Sequence, residues 1–412
     1  MKKTIKKILL TSLLATTGTL ALASCDFGGS GKIKVGLIAL HDDNSTYDKN
    51  FIDAFNAACK SKNMQPVIIT NIDEDEHVTE AAENLLEQDC KFIFADSFGH
   101  EPYLLDVAKK NPDVQFSHAT GTTAHTEKLD NFHNAFASIY EGRYLAGVVA
   151  GLKLQEMIAK DSTLTPKIGY VGAHPYAEVI SGYTSYYLGV KSIVENVTMD
   201  VTFTSSWYDE AAEMNAAKLL IGRDCLIISQ HADSMGAPNA CEHNEPSYVP
   251  NVSYNGSTKS ACPNSYLVSS RINWQPYFEY CFDAVKNGTG IATDWAGGLG
   301  DTLYNGSVCL AELGNNVVTG TETKLNEVHK QLKDGKLKVF DCSKFTVGGK
   351  TITSFKADVD TDDKYTPDHE AVKTEKIDGK DVTYIDESAS ELRSAPYFTL
   401  DIDGINRLDK KN

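Results

Sequence analysis

The stretch NFHNAFASIYEGRYLAGVVAGLKL, residues 131–154, lies between two parts of the chain that have the same plan. Before it, apolar strand-like runs alternate with polar loops and amphipathic helical segments, and the alternation resumes after it. Strands that alternate with helices are typical of parallel sheets covered by helices on both faces. The sequence therefore predicts an α/β protein of two lobes. We expect residues 131–154 to make the first crossing between the lobes, and function to lie in the cleft.

The predicted strands are short, nearly continuous apolar runs. Such runs are typical of strands that are buried on both faces of a parallel sheet. The clearest are IKVGLIAL (33–40), PVIIT (66–70), FIFA (92–95), KIGYVG (167–172) and CLIIS (225–229). Each lobe is therefore predicted to hold one parallel sheet flanked by helices.

Residues 1–24 read as a lipoprotein signal peptide, with a basic start, a short apolar core and the ending Leu-Ala-Ser before Cys25. This ending is typical of a lipobox, in which the cysteine is lipidated; an ordinary secretory signal is the alternative. Residues 25–32 would form a flexible tether. We expect an extracytoplasmic protein that is anchored to the cell membrane by lipid on Cys25.

The charge of the chain excludes one class of partner. Removing residues 1–24 takes away four lysines and no acidic residue, so the formal net charge moves from −17 to −21. Nucleic-acid binding needs a basic surface. We therefore expect no nucleic-acid partner, and we expect a monomer.

Eight cysteines follow Cys25. An extracytoplasmic location permits disulfides, and Cys241 and Cys262, which flank a loop-rich stretch, are the best candidates for a pair. The Asp-rich run at 358–363 lacks the glycine and terminal glutamate of an EF-hand, so a solvated loop is favoured over a calcium site. We predict no metal and no cofactor.

Polar and aromatic residues follow the ends of several predicted strands, where ligands bind in α/β sheets. Aromatic rings stack on planar ligands, while carboxylates and amides hold hydroxyl groups, although core packing explains any single aromatic as well. The candidate residues are Asp43, Asn44, Tyr47, Asp48, Phe98, His118, Trp207, Asp209, His231, Asp233, Asn273 and Trp274. The pattern predicts a binding site for a small planar ligand such as a nucleobase with its sugar.

Catalysis has little support in the sequence. It contains no GxSxG, HExxH or P-loop motif. His231 and Asp233 have the chemistry of an acid–base pair, but no nucleophile motif accompanies them. We predict no enzyme, and a surface enzyme that processes nucleosides stays the less favoured alternative.

Seven segments together carry a family resemblance. They are FADSFG (94–99), NPDVQFSHATG (111–121), YEGRYLAGVVAG (140–151), KIGYVGAHPYAEVISG (167–182), SSWYDEAAE (205–213), ISQHADS (228–234) and NWQPYF (273–278). Over about residues 32–340 the chain resembles the basic membrane protein (BMP) family of substrate-binding lipoproteins of ABC transporters. The best-understood members of that family bind purine nucleosides.

The resemblance implies a type I periplasmic-binding-protein fold with three crossovers. The first lobe would comprise residues 33–133 and about 255–290, and the second residues 134–254 and about 291–340. Residues 341–412 would form an acidic C-terminal extension beyond the family core.

The resemblance also implies functions for single residues. Tyr47 stands where the family has an aromatic that stacks on the base, and Asp48 where it often has asparagine. Asn255 replaces the usual aspartate that faces the ribose, and Asn273 lies near a position that is lysine in nucleoside-binding members. His231 and Asp233 would then supply the missing polar contacts.

The function implied is delivery of a nucleoside or nucleobase-like ligand to an ABC permease and its ATPase by hinge closure. A lipoprotein that senses the same ligand for a regulator is the main alternative.

Overall fold

A computed structural model describes residues 31–357, 369–387 and 394–410 of the chain. The predicted signal peptide, Cys25, most of the tether and the Asp-rich run at 358–363 lie outside the described residues. Within the described ranges, no helix combines the length and apolarity needed to cross a membrane.

The first part of the chain alternates strands and helices, as predicted. Its elements are β1 (Lys34–Ile38), α1 (Thr46–Lys62), β2 (Gln65–Ile69), α2 (His77–Glu87), β3 (Cys90–Ala95), α3 (Glu101–Lys110), β4 (Gln115–Ala119), α4 (Ala124–Glu127) and β5 (Phe132–Ala137). Helix α1 begins where the Ser45 side chain accepts a hydrogen bond from the Asp48 backbone N–H, which satisfies one of the free donors of a helix start.

The alternation continues through the second part. Its elements are α5 (Ile139–Lys160), β6 (Lys167–Gly172), α6 (Ala177–Lys191), β7 (Thr198–Phe203), α7 (Glu210–Ile221), β8 (Ile228–His231), α8 (Gly236–Glu242), β9 (Asn251–Tyr254) and β10 (Tyr266–Ile272). Strand β6 is buried over five of its six residues, as expected for a strand that has helices on both faces.

The last part returns to both lobes. Its elements are α9 (Gln275–Asn287), β11 (Asp294–Gly297), β12 (Val308–Leu310), α10 (Thr321–Lys333), β13 (Lys356–Ala357), β14 (His369–Glu370), β15 (Val372–Ile377), β16 (Lys380–Ile385) and β17 (Ile405–Arg407). Strands β13 with β14, and β15 with β16, form two small antiparallel ribbons.

Two sheets organise the chain from Ile33 onward. The first has the strand order β11-β5-β4-β3-β1-β2, and all its neighbours are parallel. The second has the order β12-β10-β9-β8-β6-β7-β17, and only the edge strand β12 is antiparallel. The predicted pair of parallel sheets flanked by helices is confirmed.

The stretch 131–154 consists of strand β5 and most of helix α5, and the chain changes sheets between them. Strand β5 is buried along its whole length in the first sheet. The small residues of α5 let it pack closely on α6: a Cβ added at Gly147 would lie 2.1 Å from the Tyr186 carbonyl oxygen. Just past the crossing between the sheets, α5 is therefore packed closely on α6.

Two strands belong to the lobe opposite to the one predicted. Strand β10, within the segment 255–290 assigned to the first lobe, pairs with β9 in the second sheet. Strand β11, within 291–340, pairs with β5 in the first sheet. The three predicted crossovers are present. The second follows β10, and the third lies between β11 and β12. Their positions follow from which sheet each strand pairs in, and this differs from the predicted boundaries.

The segment from 341 onward is part of the second lobe and not an appendage to it. Strand β17 pairs with β7 at the edge of the second sheet. Phe345, Tyr397, Phe398 and Ile402 are buried in the same apolar cluster as the residues of α5 and α6. The prediction of a separate acidic extension is therefore wrong, because this segment contributes buried residues to the core of the second lobe.

The predicted pairing of Cys241 with Cys262 is not found. Both are buried free cysteines, and each sulfur lies near a different asparagine, Asn251 for Cys241 and Asn239 for Cys262.

Candidate functional site

A small cavity lies where loops from the two sheets meet. Leu40, Tyr47, Ser97, Phe98 and Thr120 line it from the first lobe, and Glu178, Trp207, His231 and Asp233 line it from the second. Its volume is about 20 Å³, which is room for about one water molecule. Two larger grooves, of about 650 and 670 Å³, lie elsewhere. The small cavity is the candidate site because it gathers residues from the carboxyl ends of strands in both sheets.

Direct contacts hold the two lobes together beside this cavity. The Thr46 backbone N–H and hydroxyl lie 3.0 and 3.2 Å from the Asp233 carbonyl oxygen, which accepts from both. The rings of Phe98 and Tyr176 lie 5.4 Å apart across the cleft. The cleft is therefore closed, and a ligand of nucleoside size fits only after the lobes or their side chains move.

Aromatic rings form one wall of the site. Trp207 lies 5.1 Å from the His174 ring and 6.0 Å from Tyr176, and His174 stacks on Tyr176 at 5.0 Å. Together with Phe98 these rings make a surface that is shared by both lobes. Such a surface suits a planar ligand, because stacking contributes about 1–3 kcal/mol per base.

Tyr47 sits in the first turn of α1 and projects into the cleft. Its hydroxyl donates to the Asp96 carbonyl oxygen at 2.8 Å, and its ring packs edge-on against Phe51 at 4.9 Å. Burial, with the charges of Glu178 and Asp96 nearby, raises the pKa of Tyr47 well above its usual value. The residue therefore remains a neutral hydrogen-bond donor.

His231 ends strand β8 and is 2% exposed. Its Nε2 lies 3.2 Å from Glu178 Oε1, and its Nδ1 lies 3.4 Å from the Tyr170 hydroxyl. Its ring also packs on Tyr254 at 4.3 Å between centroids. Both ring nitrogens thus have protein partners.

Asp233 is 5% exposed. Within the described ranges of the chain, no group donates a hydrogen bond to its carboxylate. Burial, with the charges of Asp48, Glu213 and Glu178, raises the pKa of Asp233 well above the usual aspartate value. A buried carboxylate that lines a cavity without a partner is costly, and a ligand with hydrogen-bond donors would remove that cost.

Two predicted site residues lie at the starts of helices. Asp48 is fully buried, and its carboxylate accepts from the His41 N–H at 2.8 Å and from the Ser45 hydroxyl at 2.5 Å. Asp209 accepts from the Ala212 N–H at 2.9 Å and starts α7. Neither lines the cavity: the Asp48 carboxylate holds the loop before α1, and the Asp209 carboxylate caps α7.

Two others are buried in the first lobe. Trp274 is 1% exposed and stacks on Phe51 at 4.5 Å between centroids. His118 is fully buried, and its Nε2 lies 2.5 Å from the Ser97 carbonyl oxygen. Trp274 therefore belongs to the core, and His118 supports the loop that carries Phe98.

The remaining predicted residues also lie outside the cavity. Asp43 and Asn44 are exposed, and the Asn44 amide donates to Asp42. Asn255 lines the groove of about 650 Å³ beside α1, and its Nδ2 has no partner among the described residues. Asn273 accepts from the Gln275 N–H at 3.3 Å at the start of α9.

Sequence reasoning missed Leu40, Ser97, Thr120 and, above all, Glu178. Glu178 lies in the first turn of α6, shortly after strand β6. The rule that ligand-binding residues follow strand ends, which selects Trp207 and Asp233, therefore also selects Glu178. None of the groupings of His, Cys, Asp and Glu within the described ranges has the arrangement of a metal site.

Known proteins resemble this chain over most of its length. The sequence profile of Bmp, described as ABC transporter substrate-binding protein PnrA-like, matches residues 36–336. A purine-binding protein of Brucella abortus is 29% identical over 313 residues, which cover 75% of this chain and 83% of that protein. A putative ABC transporter glucose-binding protein of Haloferax volcanii is 28% identical over 263 residues, covering 64% and 62%.

Solved structures agree with the architecture. An ABC transporter solute-binding protein from Conexibacter woesei matches with a TM-score of 0.58 at 19% identity, covering 74% of this chain and 98% of that chain. The predicted two-lobed binding-protein fold is thereby confirmed.

Proposed function

The chain belongs to the Bmp family of PnrA-like ABC transporter substrate-binding proteins, and from this premise we propose that it binds a purine nucleoside or nucleobase in the cavity between its lobes. Membership confirms the resemblance carried by the seven motifs. The ligand itself is the proposal, together with lipid anchoring at Cys25 and delivery to a permease outside the cytoplasm.

The observation that carries the proposal is the pairing of an aromatic wall with two acidic side chains at one cavity. Trp207 and Phe98 suit a planar base, and Asp233 and Glu178 suit the hydroxyls of a sugar. The purine-binding relative supports the same ligand class. The glucose-binding relative supports a sugar alone, which has the hydroxyls but lacks a planar ring.

The mechanism would be hinge closure about the three crossovers. Residues from both lobes line the cavity, so a ligand gains its full set of contacts only when the lobes meet. A ligand shifts the equilibrium between open and closed lobes only by its difference in affinity for the two states. The closed form is then the form that a permease would recognise.

Thermal unfolding of the purified protein tests the ligand class. Adenosine, guanosine, adenine and glucose are each added at about 1 mM. A ligand with a micromolar Kd stabilises the folded state by about 4 kcal/mol at this concentration, so Tm should rise by several degrees with a nucleoside or base. A rise with glucose alone, or no rise with any purine, would overturn the assignment. Chromatography of the same samples for free base tests the enzyme alternative.

Asp233→Asn should separate stability from binding. The amide cannot ionise, whereas folding opposes ionisation of Asp233, so we expect a higher Tm at pH 7. It also leaves one acceptor oxygen where the carboxyl has two, so we expect affinity for the purine to fall about 10- to 100-fold. Asp209→Asn is the matched control, because asparagine caps a helix about as well as aspartate. Equal affinity losses in both variants would contradict the assignment of Asp233.

The stability of the wild type should also depend on pH in a defined direction. A carboxyl whose pKa is raised by folding binds its proton more tightly in the folded than in the unfolded chain. Its contribution to stability therefore falls as pH rises from about 4, the unfolded value, toward the raised folded value of Asp233. The gain in Tm from Asp233→Asn should be larger at pH 7 than at pH 5. If the Tm gain of Asp233→Asn did not depend on pH, ionisation of Asp233 would not be its cause.

A further inference from the structure

A buried arginine lies behind the candidate site. Arg143, on α5, is fully buried, and no carboxylate of the described chain forms an ion pair with it. Its guanidinium lies 2.8 Å from the Tyr170 hydroxyl and 2.9 Å from the Ser229 hydroxyl. The rings of Tyr170, Tyr186 and Tyr254 surround it at 5.1–5.3 Å. Burying a charge without an ion-pair partner is costly, so packing alone does not account for an arginine here.

The direction of each hydrogen bond follows from the chemistry of the donors. A guanidinium only donates, so the Tyr170 oxygen accepts from Arg143 and keeps its own hydrogen for another partner. His231 Nδ1, 3.4 Å away, lies within reach of that hydrogen. Burial raises the pKa of Tyr170 to about 12, so the hydroxyl keeps its proton at neutral pH.

The tautomer of His231 follows in turn. A nitrogen that accepts a hydrogen bond is unprotonated, so the neutral ring holds its hydrogen on Nε2. Nε2 then donates to Glu178 Oε1 at 3.2 Å. Gly182 of α6 lets the His231 ring lie this close, because a Cβ there would be 2.8 Å from His231 Nδ1.

We propose that Arg143, Tyr170 and His231 are positioning residues: they form a buried relay of hydrogen bonds that sets the tautomer of His231 and holds Glu178 at the cavity wall. Neither nitrogen of His231 is then available to a ligand. Glu178 makes that end of the cavity an acceptor surface, so it selects a ligand that presents hydrogen-bond donors, such as the paired hydroxyls of a ribose. This effect on the ligand rests on the proposed function; the tautomer does not.

Nitrogen NMR of the histidine side chains tests the relay without any ligand. Protein labelled with ¹⁵N-histidine is compared with His231→Gln to assign the signals of His231. We expect an unprotonated Nδ1 and a protonated Nε2 in the wild type, and a changed tautomer balance in Tyr170→Phe. Tyr186→Phe is the matched control, because the Tyr186 ring faces the same guanidinium but its hydroxyl has no hydrogen-bond partner in the described chain. A protonated Nδ1 in the wild type, or signals unchanged by Tyr170→Phe, would overturn the relay.

Calorimetry with adenosine and 2′,3′-dideoxyadenosine tests its consequence for binding. Tyr170→Phe should weaken adenosine about tenfold and leave the dideoxy analogue nearly unchanged, because only the hydroxyls use the positioned carboxylate. Equal weakening of both probes would mean a general structural defect and would overturn the positioning effect. If wild type binds neither probe, the proposed function fails, while the NMR result still decides the relay.

Discussion

Phe398→Ala is expected to reduce the free energy of unfolding by about 3–5 kcal/mol, the usual cost of removing a buried phenylalanine side chain. The ring is fully buried and stacks on Phe340 at 4.5 Å between centroids. Phe345 and Phe355 pack against it from two further sides. Urea unfolding should show a lower midpoint without a large change of slope.

The neighbouring Thr399 provides the control for this experiment. It is exposed, so Thr399→Ala should change stability by less than about 0.5 kcal/mol. If Phe398→Ala were as mild as Thr399→Ala, residues from 341 onward would be an appendage after all. The expected loss would instead mean that a segment beyond the family profile, which ends at 336, is part of the core of the second lobe.

Gly147→Ala should destabilise the protein by about 3 kcal/mol or more. The added Cβ would lie 2.1 Å from the Tyr186 carbonyl oxygen and 3.0 Å from Gly189 Cα. Both obstacles are backbone atoms, so α5 and α6 must separate, and overpacking of this kind outweighs the roughly 1 kcal/mol that alanine gains over glycine in a helix. Chemical denaturation measures the loss.

Gly142→Ala on the same helix is the matched comparison. There the added Cβ meets only side-chain atoms, the nearest being Val308 Cγ1 at 2.9 Å, which a small adjustment relieves. We expect a change below about 1 kcal/mol. Similar losses from the two variants would argue against a backbone contact between α5 and α6 as the cause.

Much of the fold could be predicted from the sequence because its strands are buried on both faces. Runs such as that of β1 contain little but apolar residues, and they mark parallel strands directly. Strand β5 is not predicted from the sequence, because His133 and Asn134 interrupt its apolar run. The lobe assignments of β10 and β11 depend on strand pairing, which a local pattern does not encode.

The prediction that residues from 341 onward form an extension is wrong for a different reason. Its buried residues, among them Tyr397, Phe398 and Ile402, lie outside regular helices and strands, so they produce no periodicity. Charged residues around them dominate the composition. A core contribution of this kind becomes visible only when the packing partners are known.

The structure brings five of the predicted site residues together at one cavity. The rule that ligand-binding residues follow strands selected Tyr47, Phe98, Trp207, His231 and Asp233, which all line the cavity. The same positions also start helices, so the same pattern selects Asp209, which caps α7, and Asp48, which holds the loop before α1. Composition does not distinguish the two uses of a carboxylate; hydrogen-bond partners do.

The contact between Thr46 and Asp233 bears on how long a ligand stays bound. A ligand bound between the lobes is retained by contacts that join them, among them the one in which the Asp233 carbonyl oxygen accepts from Thr46. Its residence time is then governed by how often the lobes part, on the microsecond-to-millisecond scale or slower that is usual for hinge motions. A tightly held ligand would remain with the protein through purification, where mass spectrometry can identify it.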